Sequence, residues 1–250
     1  MATFTGSDDL RGAKFDHADL TGARFVAADL SSVVMRGIQV TGLDIDAPWL
    51  DSESSLVING VDVAPFVEAE LNRRFPGRAD RRVADPDGLR AAWVTLERTW
   101  ASALDRVAAM PADTVDVSVG GEWSFAQTLR HLALATDLQL RRAILGIEQP
   151  FHPVGLFAGP VDKRVDMSVF TTVKPSYAEV LDARADRTAM VRDFLATVTS
   201  DELATPLTNP GKPTSKATTR SCLHTILEEE WEHYRYAVRD LDALEAKPDV

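Results

Sequence analysis

The chain has 250 residues, of which 45% are hydrophobic, and its formal net charge at pH 7 is −11. This length and hydrophobic content allow a sizeable core and exclude a globally disordered chain. The acidic residues are spread along the sequence, which disfavours nucleic acid as a partner because binding to phosphates requires concentrated positive charge.

Two features of the sequence bear on the location of the protein. The single cysteine, Cys222, excludes an internal disulfide and is typical of a reducing compartment. The first residues, MATFTGSDDL, are acidic where a secretory signal would be basic, and no apolar run approaches the roughly 18–20 residues of a membrane span. We therefore expect a soluble, cytoplasmic protein with no membrane partner.

A five-residue repeat occupies about residues 4–47. Large apolar residues recur at every fifth position from Leu10 to Ile45, and an alanine stands two positions before several of them. Because this spacing fits neither a helix nor an ordinary strand, it predicts a flat-sided coil with the large side chains stacked inside. The segment resembles the pentapeptide-repeat family, and that resemblance implies a short right-handed, four-sided β-helix. We interpret it as a packing or dimerisation module, since its charge is too weakly acidic for a DNA mimic.

Residues 48–84 are predicted to form a connector. The stretch LVINGVDV, 56–63, predicts a β-hairpin because Asn-Gly accepts the positive φ values of a tight turn. The following APFVEAELNRRF predicts a short helix, which Pro76-Gly77 ends. The arginine-rich stretch RRFPGRADRR, 73–82, is interpreted as a solvated, salt-bridging segment rather than a phosphate site.

From Asp85 onwards the apolar residues follow helical periodicity. Asp85 is a predicted N-cap, Pro86 fits the first helical position, and an apolar stripe continues from there for about five turns. Further helices are predicted at about 124–145, 176–198 and 218–244. The sequence therefore predicts a mainly α protein.

The four predicted helices favour a four-helix bundle over residues 85–246, preceded by the β-hairpin and the β-helix. Their connections are long, so the topology need not be simple up-and-down. The connection at 148–175 is rich in proline and glycine, and long loops in compact domains are often functional. We therefore treat this loop as a candidate lid.

The second and fourth predicted helices carry a candidate metal site. In EEEWEHYRY, 228–236, Glu229 and His233 are four residues apart and share a helical face, while Glu230 is a slightly poorer match to His233. These nine residues leave the choice of carboxylate open. His131 lies beside the buried stripe of the second helix, and one His from one helix with Glu-x-x-x-His from another makes a workable three-ligand site. Such ligands suit zinc, nickel or iron and leave a position for water or substrate.

Two stretches of this region, GEWSFAQTLRHLALATD at 121–137 and HTILEEEWEHYRYAVRDL at 224–241, resemble the DinB-like superfamily. This superfamily includes mycothiol-dependent maleylpyruvate isomerases and bacterial thiol S-transferases. The resemblance implies a four-helix bundle whose metal is held by His131, Glu229 and His233. The Glu-x-x-x-His pair is the form found in the mycothiol-dependent branch.

The resemblance covers about residues 86–245 and also implies a function. We expect a metal-dependent enzyme that transfers a low-molecular-weight thiol, such as mycothiol, to an electrophilic small molecule, with zinc as the leading metal candidate. Gln127 and Tyr236 each lie about one turn from a ligand and are candidates to orient a bound molecule, although core packing explains their spacing equally well. The related isomerases have a further C-terminal domain at the active site. Because this chain ends at Val250, isomerase activity itself is not expected.

A second hypothesis is a non-catalytic protein that binds a metal or ligand in the bundle. In that case the repeat module would make protein contacts, including those of a homodimer. The remaining candidate residues have simpler interpretations. Glu228, Glu230, Glu232 and Arg235 are expected to face solvent or form ion pairs between helices, and Cys222 to be a small buried residue. A surface, packing or loop-anchoring role is expected for His17, His152, His224, Trp93, Trp100 and Trp123.

Overall fold

The computed structural model of the protein describes residues 3–50, 54–159, 161–208 and 216–246. The chain divides into two compact units, Met1–Asp46 and Ala47–Val250, and each is described by itself. The described residues are mainly helical, which confirms the predicted mainly α class. No helix within these ranges is both long enough and apolar enough to cross a membrane.

The backbone of the first unit bends once every five residues. Positive φ values, which favour glycine, occur at Gly12, His17, Gly22, Ala27, Ser32, Gly37 and Gly42. Every second bend is a hydrogen-bonded turn. In the first of these, the N–H of Ala13 donates to the carbonyl of Leu10, and the Asp9 carboxylate accepts the N–H of Arg11. The same pair of bonds recurs ten and twenty residues later. The five-residue repeat of the sequence is therefore also a repeat of the backbone.

The large apolar side chains of this unit are exposed, so the covered interior that the sequence predicts is not shown. Leu10 is 44% exposed and Phe15 is 57% exposed, and every described residue from 3 to 46 belongs to the exposed class. No strand is found in residues 3–46, so the predicted β-helix is not seen. The physical reason is length. The repeat suffices for only about two four-sided coils, and stacked repeats need neighbours on both sides to be covered.

The second unit contains short strands and helices of very unequal length. The strands are β1 (Val57–Ile58), β2 (Val61–Asp62), β3 (Pro206–Thr208) and β4 (Lys216–Thr218). The helices are α1 (Ala64–Arg74), α2 (Pro86–Ala108), α3 (Phe125–Thr136), α4 (Tyr177–Thr197), α5 (Ser200–Leu203) and α6 (Thr219–Glu245). Short 3-10 helices lie at Arg78–Arg82, Ala112–Asp116 and Met167–Val169. The strands pair as two antiparallel hairpins, β1 with β2 and β3 with β4, and the sequence predicted only the first.

Two predicted turns of the connector are confirmed. The turn between β1 and β2 is made by Asn59 and Gly60, with φ values of 51° and 85°. Gly77, which follows α1, has a φ of 98°, and a Cβ atom there would lie 2.6 Å from Cγ2 of Thr95 and 3.3 Å from the ring of Trp231. Glycine at position 77 therefore lets the connector pack tightly against α2 and α6.

The connector is salt-bridging, as predicted, but two of its arginines are not solvated. Arg78 is 2% exposed, and its guanidinium donates to Glu232, Glu68 and Asn72. Arg81 is also buried and pairs with Glu68. The prediction of solvation is wrong because both guanidinium groups are buried and matched by carboxylates, that of Glu68 in α1 for both and that of Glu232 in α6 for Arg78.

Side-chain caps fix the start of each long helix where the sequence predicts it. The Asp85 carboxylate accepts the N–H of Gly88 at the start of α2. Capping boxes that begin with Ser124, Ser176 and Thr218 start α3, α4 and α6. The predicted second helix changes character, because α3 continues from residue 137 to 144 as a π-helix. Such segments are rare and are frequent near functional sites.

The long helices share one apolar core. Helix α2 packs against α4 and α6, and α3 packs against the same two helices. The buried cluster between them includes Leu89, Trp93, Leu96 and Trp100 of α2, Leu129 and Leu132 of α3, Val191 and Leu195 of α4, and Leu223, Ile226 and Trp231 of α6. This confirms the predicted apolar stripe of α2. The faces of α3 and α6 that do not take part in this core are therefore the ones on which polar residues can lie close together.

Candidate metal centre

The candidate site lies between α3 and α6. His131 lies in the second turn of α3, and Glu229 and His233 lie one turn apart in the middle of α6. One potential ligand atom of each residue lies within 4.8 Å of those of the other two. The structure therefore brings together the three residues that the sequence predicts. The carboxylate that faces His131 belongs to Glu229 rather than to Glu230.

Both imidazoles are oriented by backbone carbonyls. Nδ1 of His131 lies 3.0 Å from the carbonyl oxygen of Leu156, and Nδ1 of His233 lies 2.8 Å from the carbonyl oxygen of Glu229. Because a carbonyl oxygen only accepts, each Nδ1 carries a proton, and Nε2 is the ring nitrogen left to bind a metal. Hydrogen bonds of this kind commonly orient histidines that bind metals.

The Glu229 carboxylate lies beside both imidazoles. Its Oε2 is 3.4 Å from Nε2 of His131 and 3.4 Å from Nδ1 of His233. Burial on its own would raise the pKa of Glu229, but the hydrogen bond with His131 and the interaction with His233 together bring it below its usual value. The carboxylate is therefore ionised at neutral pH and supplies negative charge for a cation.

His233 is held in its neutral form. Burial disfavours the imidazolium and lowers the pKa of His233, and repulsion from His131 lowers it further. The nearby Glu229 carboxylate only partly opposes these effects. A neutral imidazole is the state that binds a metal, so no proton has to leave His233 near neutral pH.

The indole of Trp123 covers the two imidazoles. Its ring centroid lies 4.9 Å from that of His131 and 6.1 Å from that of His233, to which it is nearly parallel. The sequence interpretation assigned Trp123 to packing and missed this contact. The available signal was its position just before the cap residue Ser124, which places the indole at the same end of α3 as His131.

The candidate lid contacts the site through its backbone. The carbonyl of Leu156 accepts from His131, and the carbonyl of Val154 accepts from Nε of Arg130 at 2.7 Å. The loop has a small apolar core of its own, formed by Leu134 of α3 with Phe151, Val165 and their neighbours. His152 anchors the loop, as predicted, because its N–H donates to Asp137 and its Nδ1 accepts from Val154.

The two candidates to orient a bound molecule have different environments. The side-chain oxygen of Gln127 accepts the N–H of Ser124 in the capping box of α3, so this residue serves the helix start. The ring of Tyr236 packs edge-on against His233 with centroids 5.9 Å apart, and the guanidinium of Arg235 lies 4.4 Å from its centroid. Tyr236 therefore stays a candidate, and Gln127 is a capping residue.

The other acidic residues of α6 pair with arginines. Glu230 is 1% exposed, and its Oε2 lies 2.5 Å from Nη2 of Arg184. Glu232 and Glu228 pair with arginines of the connector. The expected ion pairs are confirmed. For Glu230 and Glu232 the ion-pair alternative holds and they are buried, because their partners belong to elements that pack directly on α6.

His17, His224 and Cys222 are not among the three candidate ligands. His17 is exposed in the repeat unit, and Nε2 of His224 lies 2.8 Å from the carbonyl oxygen of Val83. Cys222 is buried, as predicted, and burial raises the pKa of its thiol to about 11. A thiol in that state is inert at neutral pH, which disfavours Cys222 as a nucleophile.

The donor set fits a divalent transition metal. Two imidazoles and one carboxylate are the donor types of three-ligand catalytic zinc sites, which keep a further position for water or substrate. The side chains of His131, Glu229 and His233 are 11%, 17% and 14% exposed, so solvent reaches them. Within the described residues, the ionisable side chains shown closest to the Glu229 carboxylate are the two histidines, so its charge is left for a cation.

Comparisons with known proteins agree with these features. The family model of the DinB superfamily matches residues 95–237, which is more than half of the chain and includes the three residues of the candidate site. The family model of pentapeptide repeats matches residues 9–42 in eight copies. No curated protein and no solved structure matches the chain.

Proposed function

The chain belongs to the DinB superfamily, and from this membership we propose that it is a metal-dependent enzyme, either a thiol S-transferase or a related enzyme. The observation that carries the proposal is the arrangement of His131, Glu229 and His233. Nδ1 of each histidine is hydrogen-bonded to a backbone carbonyl, and the ionised carboxylate of Glu229 lies 3.4 Å from both rings. Zinc is the leading candidate on the chemistry of these donors, and nickel and iron are the alternatives.

The proposed reaction assigns separate tasks to the metal and to the protein. A metal held by the three residues would supply the charge that makes a bound thiol or water nucleophilic near neutral pH. In a thiol transfer, the sulfur forms a bond to an electrophilic carbon, the thiol loses its proton, and a leaving group departs with its electron pair. The thiol we propose is of low molecular weight, and mycothiol is the example that the family suggests.

The protein's own residues prepare the site before any substrate arrives. The carbonyls of Leu156 and Glu229 hold the imidazoles in one tautomer, so little reorganisation is needed when a ligand binds. The indole of Trp123 excludes water from one side of the imidazole pair. Because Leu156 belongs to the candidate lid, closure of that loop and orientation of His131 are part of the same proposal.

A finer architecture accompanies this proposal. We infer that α2, α3, α4 and α6 form a four-helix bundle over residues 85–246, joined by the connector 48–84 to the repeats of 4–47. The support is the mutual packing of the four helices and the family match. We further infer that the repeats adopt a right-handed β-helix when the ends of the coil are covered by a partner.

The competing proposal is a non-catalytic scaffold. It is favoured by the exposed apolar side chains of the repeat unit, which suit contacts with another protein or with a second copy of this chain. In this proposal a metal or another ligand binds to the same three residues, and the protein catalyses no reaction.

The first experiment is elemental analysis of the purified full-length protein. We expect about one zinc, nickel or iron per chain, and we expect it to be absent from His131→Ala and His233→Ala. The matched control is His17→Ala, which removes an exposed histidine of the repeat unit and should leave the metal content unchanged. Full metal content in His233→Ala would show that the site is wrongly assigned.

The second experiment separates the enzyme from the scaffold. The metal-loaded protein is incubated with a thiol, mycothiol first, and an electrophile such as monochlorobimane, and formation of the thioether is followed by fluorescence. We expect turnover that disappears on chelation and returns when metal is added back. A fully loaded protein that accelerates none of a panel of thiols with several electrophiles would favour the scaffold.

A further inference from the structure

A short turn of the candidate lid, residues 152–155, is bound to α3 by an arginine. The turn is closed by the N–H of Gly155, which donates to the carbonyl of His152 at 3.0 Å. Within the turn, the carbonyl of Val154 accepts from Nε of Arg130 at 2.7 Å. The charge of the guanidinium makes such a hydrogen bond stronger than one between neutral groups. Arg130 therefore holds this turn on α3.

The same short segment also reaches the candidate metal centre. Leu156 directly follows the turn, and its carbonyl oxygen lies 3.0 Å from Nδ1 of His131. His131 is the next residue after Arg130 in α3. Two adjacent side chains of one helix thus bind two carbonyls that are only two residues apart. The position of the Leu156 carbonyl, and with it the orientation of the His131 ring, is therefore linked to the position of the turn.

The turn is closely packed, so a shift of its backbone cannot be absorbed locally. At its start, the N–H of His152 donates to the buried carboxylate of Asp137 at 2.8 Å. A Cβ atom at Gly155 would lie 3.0 Å from the ring of Phe170, 3.2 Å from the carbonyl oxygen of His152 and 3.3 Å from Cδ1 of Leu134. These distances are shorter than ordinary contacts, and glycine is the residue that fits between its neighbours without displacing them.

The carbonyl of Val154 depends on Arg130 for its hydrogen bond. Val154 is 5% exposed, so water has little access to it, and the hydrogen bond shown to its carbonyl within the described residues comes from Arg130. A buried carbonyl without a donor is unfavourable. Without the guanidinium, the turn would have to move to bring this carbonyl to water, and the carbonyl of Leu156 would move with it.

Arg130 differs from the other arginines that are buried or half-buried in the described part of the chain. Each of the others has a carboxylate oxygen within 3.9 Å of its guanidinium. Arg130 has no carboxylate at such a distance among the described residues, and its hydrogen bond goes to the backbone of the loop. An ion pair therefore does not account for its partial burial, whereas a role in holding the loop does.

We propose that Arg130 is a positioning residue of the candidate metal centre. It holds the turn 152–155 on α3, so that the carbonyl of Leu156 keeps the His131 ring in the orientation in which Nε2 is directed to the metal. This inference rests on the metal binding in the proposed function and is independent of thiol transfer.

The first test measures the affinity of the full-length protein for zinc by competition with a chromogenic chelator. Arg130→Met removes the donor to Val154, and we expect its Kd for zinc to rise about tenfold or more. Arg130→Lys should restore most of the affinity, because its ammonium is a charged donor that can reach the same carbonyl. The matched control is Arg90→Met, which also removes a donor to a buried backbone carbonyl, that of Leu195 at 2.7 Å, and should leave the Kd unchanged.

The second test displaces the turn while Arg130 is kept. Gly155→Ala introduces a methyl group at the close contacts of the turn, so the Kd for zinc should rise. The matched control is Gly159→Ala, the same substitution in the same loop at a position where nothing lies within 4 Å of the added Cβ, and its Kd should equal that of the wild type. This pair decides the question if circular dichroism shows that Arg130→Met is not folded.

A third measurement needs no metal. Nitrogen-15 NMR of the metal-free protein reports which ring nitrogens carry protons, and the signals of His131 are assigned by their loss in His131→Ala. The wild type should show a protonated Nδ1, and this fraction should fall in Arg130→Met and recover in Arg130→Lys. If the wild type binds no zinc, the proposed function fails, and this measurement still decides whether Arg130 positions His131.

Three results would overturn the inference. The first is a folded Arg130→Met whose Kd for zinc and His131 signals are those of the wild type. The second is an equal rise of the Kd in Arg130→Met and Arg90→Met, which would indicate a general effect on stability. The third is a folded Arg130→Lys that binds zinc as weakly as Arg130→Met.

Discussion

Glu229 and Glu230 are neighbours in α6, yet they lie in opposite kinds of environment. Glu229 faces two histidines at 3.4 Å and is 17% exposed, whereas Glu230 faces the guanidinium of Arg184 at 2.5 Å and is 1% exposed. Burial, its largest effect, raises the pKa of Glu230 despite the opposing charge of Arg184, while the histidines bring the pKa of Glu229 below its usual value.

The difference shows how one acidic helix divides its carboxylates between stability and chemistry. A guanidinium is a permanent cation, so a buried carboxylate opposite it forms a closed pair that no further ion is needed to complete. An imidazole can give a nitrogen lone pair to a metal, so a carboxylate beside two imidazoles forms an incomplete site that a metal can complete. The type of partner side chain therefore decides whether a carboxylate of α6 stabilises the fold or contributes to the candidate metal centre.

The largest expected effect is the loss of Glu230. Glu230→Ala leaves Arg184 buried without its counter-charge. We therefore expect its free energy of unfolding, measured with urea, to be about 3–5 kcal/mol lower than that of the wild type. Glu229→Ala leaves two imidazoles that keep their carbonyl partners. Its cost in the presence of a chelator should be no more than about 1 kcal/mol.

The two variants should also differ in their metal content. The folded fraction of Glu230→Ala should keep its metal, whereas Glu229→Ala should lose it. If Glu230→Ala were as stable as the wild type, the buried ion pair would not have the structural role assigned here.

The connector offers a second contrast of the same kind. Arg78→Met removes a buried guanidinium shared by Glu232 and Glu68. We expect this to lower the free energy of unfolding, measured with urea, by about 3 kcal/mol. Arg82→Met removes the partner of Glu228 from a more exposed ion pair and should cost less than about 1 kcal/mol. In high salt the small effect of Arg82→Met should vanish, while that of Arg78→Met should persist. Equal losses in the two variants would contradict the difference in burial.

Removal of the metal should have an intermediate effect. The apolar core between α2, α3, α4 and α6 contains none of the three site residues, so the chelated protein is expected to stay folded. Metal at about 100 times its Kd should add about 2.7 kcal/mol of stability, which appears as a rise in Tm. The same addition should leave the Tm of His233→Ala unchanged. Unfolding of the wild type on chelation alone would indicate a structural metal instead.

Much of the helical unit could be predicted because the deciding interactions are local. Asp85, Ser124, Ser176 and Thr218 cap their helices through residues three positions away, and such pairs can be read directly from the sequence. Glu229 and His233 could be paired for the same reason. Their proximity to His131 depends on the packing of two helices, and it could be predicted from the family resemblance rather than from the spacing.

The environments of the other acidic residues could not be predicted, because their partners are distant in the chain. Glu230 is buried opposite Arg184, which lies 46 residues away, and Glu232 is buried opposite Arg78, which lies 154 residues away. No local pattern distinguishes these carboxylates from solvated ones. The contact of Trp123 with His131 had a local signal in its position before Ser124, whereas its contact with His233 depends on how α3 and α6 pack.

The smallest expected effect concerns His224, the histidine of α6 that lies outside the site. Its folded pKa is below the ordinary value, because burial disfavours the imidazolium more than the Val83 carbonyl and Glu228 favour it. The unfolded chain therefore binds a proton first on acidification. The stability that His224 contributes is complete above about pH 6.5 and is lost as the pH falls towards the folded pKa.

His224→Gln keeps a donor for the Val83 carbonyl but cannot titrate, so it should lose less stability than the wild type between about pH 7.5 and about pH 5. Each unit of pKa difference corresponds to about 1.4 kcal/mol. Urea unfolding of chelated protein measures this, because release of metal from His131 and His233 then adds nothing to the pH dependence. The matched control is His17→Gln, at an exposed position, which should follow the wild type. Equal acid sensitivity in His224→Gln and the wild type would mean that His224, in the first turns of α6, is not buried in its neutral form.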